Sequence, residues 1–286
     1  MTYITANGVQ YYVEQSGSGP ALLLLHGFTG SAATWAPHMA AWRDRYTCVA
    51  VDLLGHGQSD APADPARYSM AATVADLSAL LAALGIARTH LLGYSLGGRV
   101  ALALAVAQPA YIGGLVLESA SPGLATATER AARIAADEAL AASIERDGVP
   151  AFVDRWEALP LWVSQAALPA ASRAALHTQR LQNRAGGLAN SLRGLSTGAQ
   201  PPLHDQLDRL QVPTLCLAGT FDAKFVALAE DLTVALPQAQ LALIPGAGHA
   251  THLEQPDAFH QTVSNFLSQP AIAGLVPAAA QSVPAH

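Results

Sequence analysis

Three side chains of this 286-residue sequence could form a proton relay: Ser95, Asp222 and His249. Ser95 stands in Leu91-Leu92-Gly93-Tyr94-Ser95-Leu96-Gly97-Gly98-Arg99, which contains Gly-x-Ser-x-Gly. An apolar run, Thr89 to Leu92, precedes it, and a helical pattern from Arg99 to Gln108 follows. Strand, sharp turn and helix form the setting of a nucleophile elbow. Such a turn strains the serine backbone and needs small neighbours so that adjacent chains can close in. The helix aims its N-terminal N–H groups at negative charge formed there. A plain strand-to-helix turn rich in small residues would look the same in isolation, so the partners decide.

Asp222, in Phe221-Asp222-Ala223-Lys224, and His249, in Gly246-Ala247-Gly248-His249, each follow a strand predicted to be buried. The imidazole would take the Ser95 proton, and Asp222 would fix the tautomer and stabilise the imidazolium. The backbone N–H of Leu96 directly follows the nucleophile. With the N–H of Phe28, in His26-Gly27-Phe28, it would form an oxyanion hole. Each residue alone has a plainer reading. Asp222 suits a helix N-cap, and His249 suits a solvent-facing loop. His252 is a rival base three residues on, and Asp52 is a rival acid on an earlier strand.

The elements that must position these residues alternate. Tyr3-Ile4 and Gly8 to Glu14 read as a hairpin, and Ala21 to Leu25 as a buried strand. A helix from about Ala32 to Arg45, a strand from Tyr46 to Val51 and an amphipathic helix from Ser69 to Leu84 come next. After the elbow, Gly114 to Glu118 is another strand. Alternating strands and helices predict a mostly parallel sheet covered on both faces, with functional loops at the carboxyl ends of the strands. From Ser121-Pro122-Gly123 to Gln200-Pro201-Pro202 the pattern is helical only, with breaks at Gly148-Val149-Pro150, Leu159-Pro160, Leu168-Pro169 and Gly186-Gly187. Thr126 with Glu129 fits a capping box. The sheet resumes over Val212 to Leu217 and Gln240 to Ile244, with helices over Val226 to Leu236 and Pro256 to Leu267. The expected division is a core of residues 1–120 and 203–268, a helical cap of residues 121–202, and a disordered tail of residues 269–286 rich in Ala and Pro.

Composition narrows the function. Half the chain is hydrophobic (51%), 13% is charged, and the net charge is -6, which gives no general attraction to nucleic acid. Lys224 is the sole lysine beside 14 arginines, and eight of those arginines fall in the cap: Arg130, Arg133, Arg146, Arg155, Arg173, Arg180, Arg184 and Arg193. Codon bias accounts for the total; carboxylate recognition would account for the placement. Cys48 and Cys216 sit in apolar runs and read as buried thiols. The ten histidines show no metal spacing, and no phosphate loop or dinucleotide fingerprint appears, so no metal or cofactor is expected. Met1 to Gly8 lacks the pattern of a signal peptide, and no run could span a bilayer; a cytoplasmic location without membrane partners is the expectation. The oligomeric state stays open.

The chain order Ser, Asp, His is that of the α/β-hydrolase fold, and Met1 to about Ser268 resembles that superfamily through His26-Gly27-Phe28, Asp52 to Ser59, the elbow, Asp222 and His249. A narrower resemblance takes in the cap. The chain is similar to the 2-succinyl-6-hydroxy-2,4-cyclohexadiene-1-carboxylate synthases of menaquinone biosynthesis. It shares His26 to Gly30, Gly93 to Arg99, Ser121-Pro122-Gly123-Leu124, Trp156 with Pro160, and Ser191-Leu192-Arg193-Gly194. It also shares Gln200-Pro201, Asp222 to Phe225, and Gly248-His249 with His252 to Pro256. The resemblance implies a lyase that eliminates pyruvate from an anionic ring, with Ser95 as base. It implies substrate binding by Tyr94, Arg99, Arg133, Trp156, Arg180 and Lys224. A solvated helix face, with the stem packed on alanines, is the plainer reading of Arg133 and Arg180. Two other classes share the triad's fold: a carboxylesterase or C–C bond hydrolase, and a non-catalytic small-molecule receptor.

Overall fold

The computed structural model describes residues 2–278. One eight-stranded sheet runs through it, built from β1 (Thr2–Ala6), β2 (Val9–Ser16), β3 (Ala21–Leu25), β4 (Thr47–Val51), β5 (Thr89–Tyr94), β6 (Ile112–Glu118), β7 (Thr214–Gly219) and β8 (Ala239–Ile244). The spatial order is β1-β2-β4-β3-β5-β6-β7-β8. β1 and β2 form an antiparallel hairpin, β2 is antiparallel to β4, and every later pair is parallel. Helices α1 (Ala36–Trp42), α2 (Met70–Ala83) and α3 (Leu96–Ala107) follow the first parallel strands. Helices α4 (Ala127–Glu157), α5 (Ala170–Leu181) and α6 (Ala185–Leu195) lie between β6 and β7, and α7 (Ala223–Ala235), α8 (Thr251–Glu254), α9 (Pro256–Leu267) and α10 (Pro270–Ala273) complete the chain.

Alternation along the strands divides the core. Leu23 and Leu25 face one layer, with Leu91, Leu115 and residues of α2 and α3. Leu22 and Leu24 face the other, with Leu92, Trp35, Trp42 and Phe259. Both faces of β3 are therefore buried, which is why its five residues are all apolar. β8 departs from the expected buried strand. It pairs with β7 alone, so Leu241 and Leu243 remain 39% and 37% exposed.

Residues 121–202 contain helices and no strand. The Thr126–Glu129 capping box opens α4. Gly148 breaks its helical geometry with φ 82 and ψ 168, two residues before Pro150. Phe152, Val153, Leu188 and Leu192 form a separate small core between α4 and α6. The two ends of this segment meet where Leu203 N–H donates to the Pro122 carbonyl at 2.9 Å.

The expectation of a disordered tail from residue 269 does not hold up to Ala278. Ile272 and Val276 are buried, and a Cβ on Gly113 of β6 would strike the Val276 side chain. The glycine pair Gly113-Gly114 leaves a groove on the sheet that this segment fills. Residues 279–286 of the expected tail lie outside the described residues.

Candidate active site

Ser95 ends β5 and opens α3 with φ 51 and ψ -108, a conformation that L-residues rarely adopt. Its neighbours explain how the turn survives. A Cβ at Gly97 would overlap the Leu25 carbonyl, and one at Gly93 would overlap the Gly97 carbonyl. Glycine at both positions lets the backbone close in around the strained serine. Ser95 N–H donates to the Glu118 carbonyl at 2.8 Å, which fixes the elbow to the end of β6.

His249 approaches from the loop after β8. Its Nε2 lies 3.0 Å from Ser95 Oγ, and its Nδ1 lies 2.8 Å from Asp222 Oδ2. With Nδ1 protonated toward the carboxylate, Nε2 is free to accept the serine proton. Asp222 fills both of its sequence-level readings: its other oxygen accepts from Phe225 N–H at 3.3 Å and caps α7. The Ser119 hydroxyl donates to the His249 carbonyl at 2.8 Å. Ser119 directly follows Glu118 in the chain, so one strand end braces the nucleophile through Glu118 and the base through Ser119.

The two rivals have other work. Asp52 accepts from Ala32 N–H and Gln58 N–H, both at 2.6 Å, and ties two loops together. His252 turns away from Ser95, with Nδ1 2.9 Å from both oxygens of Glu118. Glu118 Oε1 also accepts from Thr251 Oγ1 at 2.6 Å and His252 N–H at 3.0 Å. Burial alone would raise this carboxyl's pKa, but the His252 charge and these donors outweigh it and hold the group below its ordinary value. The pair is fully buried, and the His252 ring lies 4.6 Å from that of Tyr94. Sequence reasoning missed Glu118; a carboxylate closing an otherwise apolar strand was its only signal.

Ser95 and His249 open onto a cavity of about 320 Å³ beneath the cap. Phe28 and Leu96, the expected oxyanion donors, border it beside the nucleophile. Tyr94, Arg99, Arg133, Trp156 and Lys224 border it as well. Arg180 does not. It lies behind the wall, with its guanidinium 2.8 Å from Glu157 and 5.3 Å from the centre of the Trp162 ring. Its ion-pair partner, Glu157, lies 23 residues away in the chain. Arg133 is paired with Asp137 at 2.6 Å. Arg99 differs from both. Its Nη1 donates to the neutral Gln200 Oε1 at 2.9 Å, and it makes no ion pair among the described residues. Burial and the nearby Arg133 charge push its pKa down to about 9, against a partial offset from Asp137. It therefore stays protonated at neutral pH. Ser191 borders the cavity and Gln200 holds Arg99; the sequence marked both only within shared motifs, with no site role.

Residues 20–256 match the model of the alpha/beta hydrolase fold family. A Bacillus subtilis (strain 168) protein, named provisionally as a 2-succinyl-6-hydroxy-2,4-cyclohexadiene-1-carboxylate synthase, is 41% identical over 92% of this chain and 96% of its own length. A Serratia proteamaculans (strain 568) protein named as the same synthase is 37% identical over 88% of this chain and 94% of its own. The chain belongs to the 2-succinyl-6-hydroxy-2,4-cyclohexadiene-1-carboxylate synthase branch of the α/β-hydrolase family. Among solved structures, MenH from S. aureus superposes with a TM-score of 0.86 at 33% identity, covering 92% of this chain and 98% of that one. A thermophilic esterase from Thermogutta terrifontis gives 0.83 at 27% identity, covering 93% and 97%. The α/β-hydrolase match spans Ser95, Asp222 and His249 and runs through the helical segment that carries Arg133 and Trp156. Among the described residues, no helix of this family member is long and apolar enough to cross a membrane.

Proposed function

We propose that this protein is a carbon-oxygen lyase of menaquinone biosynthesis. It eliminates pyruvate from 2-succinyl-5-enolpyruvyl-6-hydroxy-3-cyclohexene-1-carboxylate and leaves 2-succinyl-6-hydroxy-2,4-cyclohexadiene-1-carboxylate. The observation that carries this reading is the pairing of a complete Ser95–His249–Asp222 chain with Arg99, a cation lacking a carboxylate partner on the same cavity wall. Relatives at 37–41% identity that are named for this product support it.

The chemistry is proton abstraction α to a ketone. His249 Nε2 takes the Ser95 proton, and Ser95 Oγ removes the ring C2 proton beside the succinyl ketone. The C–H electrons form C2=C3, the ring double bond moves to C4=C5, and the C5–O bond breaks. The imidazolium returns its proton to the departing enolpyruvate, which becomes pyruvate. N–H groups of Leu96 and Phe28 hold the dienolate oxygen. Asp222 stabilises the imidazolium in between. Arg99 binds a substrate carboxylate by charge-assisted hydrogen bonds; Arg133, Trp156, Tyr94 and Lys224 complete the enclosure, and Arg180 acts from behind through Trp162. No acyl-enzyme forms.

A hydrolase with the same triad is favoured by esterase and hydrolase structures at 27–28% identity. Pyruvate release from the enolpyruvyl substrate, measured beside turnover of p-nitrophenyl esters, separates the two. Saturable pyruvate release that Ser95→Ala abolishes, with the fold intact, supports the lyase. Fast ester turnover without pyruvate sinks it.

A further inference from the structure

The residue that holds Arg99 is unusual for its neutrality. Gln200 is 1% exposed, so its amide is desolvated. A guanidinium donates only, which fixes the amide orientation: Oε1 must face Arg99 and Nε2 must point away. Nε2 has no hydrogen-bond partner among the described residues. It lies against Gly123, where an added Cβ would come within 3.3 Å of it, and Gly123 borders the cavity. Gln200 stands where the cap chain returns to the sheet, two residues before Pro202 and beside the Pro122–Leu203 hydrogen bond that closes the cap's neck. Arg99 belongs to α3, so the 2.9 Å contact joins core to cap across 101 residues.

The other two arginines implied in binding each have a carboxylate at hydrogen-bond distance, Asp137 for Arg133 and Glu157 for Arg180. A carboxylate at position 200 would likewise satisfy Arg99 and cancel its charge. A neutral amide fixes the geometry of the guanidinium and leaves the charge for a ligand.

From this arrangement we infer that Gln200 is a positioning and specificity residue, which orients Arg99 in the cavity without neutralising it and thereby sets the site's preference for a carboxylate-bearing ligand. The inference rests on the anionic-substrate reading given above and deepens it. It makes Gln200→Glu, an isosteric change, the damaging one: the new carboxylate competes with the ligand for Arg99.

The test uses the whole protein and two readouts. One is KM and kcat for pyruvate release; the other is calorimetric binding of succinate, a probe that needs no reaction. Gln200→Glu is expected to raise KM and weaken succinate by about tenfold or more, with kcat within about threefold of wild type. Gln200→Met, which removes the acceptor and adds no charge, should lose roughly threefold. Circular dichroism checks that both fold. Wild-type KM and succinate affinity in Gln200→Glu would overturn the inference, as would equal losses in the two variants, since the side chain would then act by packing alone. Absence of succinate binding to wild type at millimolar concentration would overturn it too. If wild type releases no pyruvate while Gln200→Glu still weakens succinate, the reaction assignment falls and the role of Gln200 stands.

Discussion

Replacing Arg99 by methionine should separate binding from stability. Methionine is unbranched, suits a helix and can fill the space left by the arginine stem. It removes the cation, whose side-chain partner is the neutral Gln200 at 2.9 Å. A charged ligand bound at Arg99 loses one side of a desolvated, charge-assisted pair. Such truncations cost about 2–5 kcal/mol. Because the site is only partly buried, about 3 kcal/mol is the working value, or roughly two orders of magnitude in kcat/KM. The free protein responds in the opposite sense. Burial and Arg133 disfavour the charge, pushing the pKa down to about 9, and among the described residues no ion pair compensates. Stability should therefore be unchanged or raised, by about 1 kcal/mol. The assay is pyruvate release over a range of substrate concentrations, with urea unfolding of the same preparations. Loss of activity together with an equal loss of stability would mean that Arg99 is structural. Near-wild-type kcat/KM would refute the clamp itself.

Three further outcomes follow from the same geometry. Glu118→Gln removes the charge facing His252 in a fully buried pair, and should cost about 3–5 kcal/mol, read as a shift in the urea midpoint; a change below about 1 kcal/mol would show that the pair is not needed. Acid should unfold the protein early. Burial lowers His26, His38 and His90 to about 4 and His56 to about 3, whereas unfolded histidine titrates near 6.5. The unfolded chain therefore binds more protons in that window, and stability present above pH 6.5 falls as pH drops toward 4, by on the order of 5 kcal/mol by pH 5. Urea midpoints that stay flat from pH 7 to 5 would contradict this; the depressed carboxyl of Glu118 withdraws its own share only lower, as pH falls through its folded value. Arg180→Met should destabilise, since it leaves the Trp162 face without its cation and Glu157 with His177 alone, and its loss should appear first in thermal melting and only weakly in KM.

The parts of the site that were legible in the sequence share one property: each is tied to the end of a strand or the start of a helix. Ser95, Asp222 and His249 carry local signals, namely glycines at a forced turn, an N-cap acid and a loop after a β run. The chain order adds the constraint that joins them. Glu118 carries no such signal, because a carboxylate at a strand end normally marks the exit to solvent, and only the packing of α8 turns it inward. Arg99 is singled out through the resemblance and its place four residues past Ser95, and the structure puts it on the cavity wall. Arg180 is named through the resemblance alone, and the structure seats it against Glu157 and the Trp162 face, where no local sequence signal points. β8 and the segment from Gln269 to Ala278 were misread for a common reason. Apolar content shows what could be buried, but neighbours decide what is, and Gly113-Gly114 lies far away in sequence from Val276.

The division of labour between core and cap follows from these positions. Ser95 is the N-cap of α3 and Arg99 lies in its first turn, with Arg99 N–H donating to the Ser95 carbonyl at 3.0 Å. On the proposed reaction, the spacing from base to anion anchor is set by this one turn. Asp222 and His249 also stand on the core, so the whole proton relay is complete without the cap. The cap brings Arg133, Trp156 and Gln200, two of which line the cavity while the third touches Arg99. On that reading, a ligand whose carboxylate is held by Arg99 has its ring placed near Ser95 by the first turn of α3. The cap contributes enclosure and charge tuning. An ester hydrolase needs a carbonyl carbon at that position and a path for water after acylation. A ring held by a carboxylate one turn away can instead present a C–H bond to Ser95, and no second nucleophile is then needed.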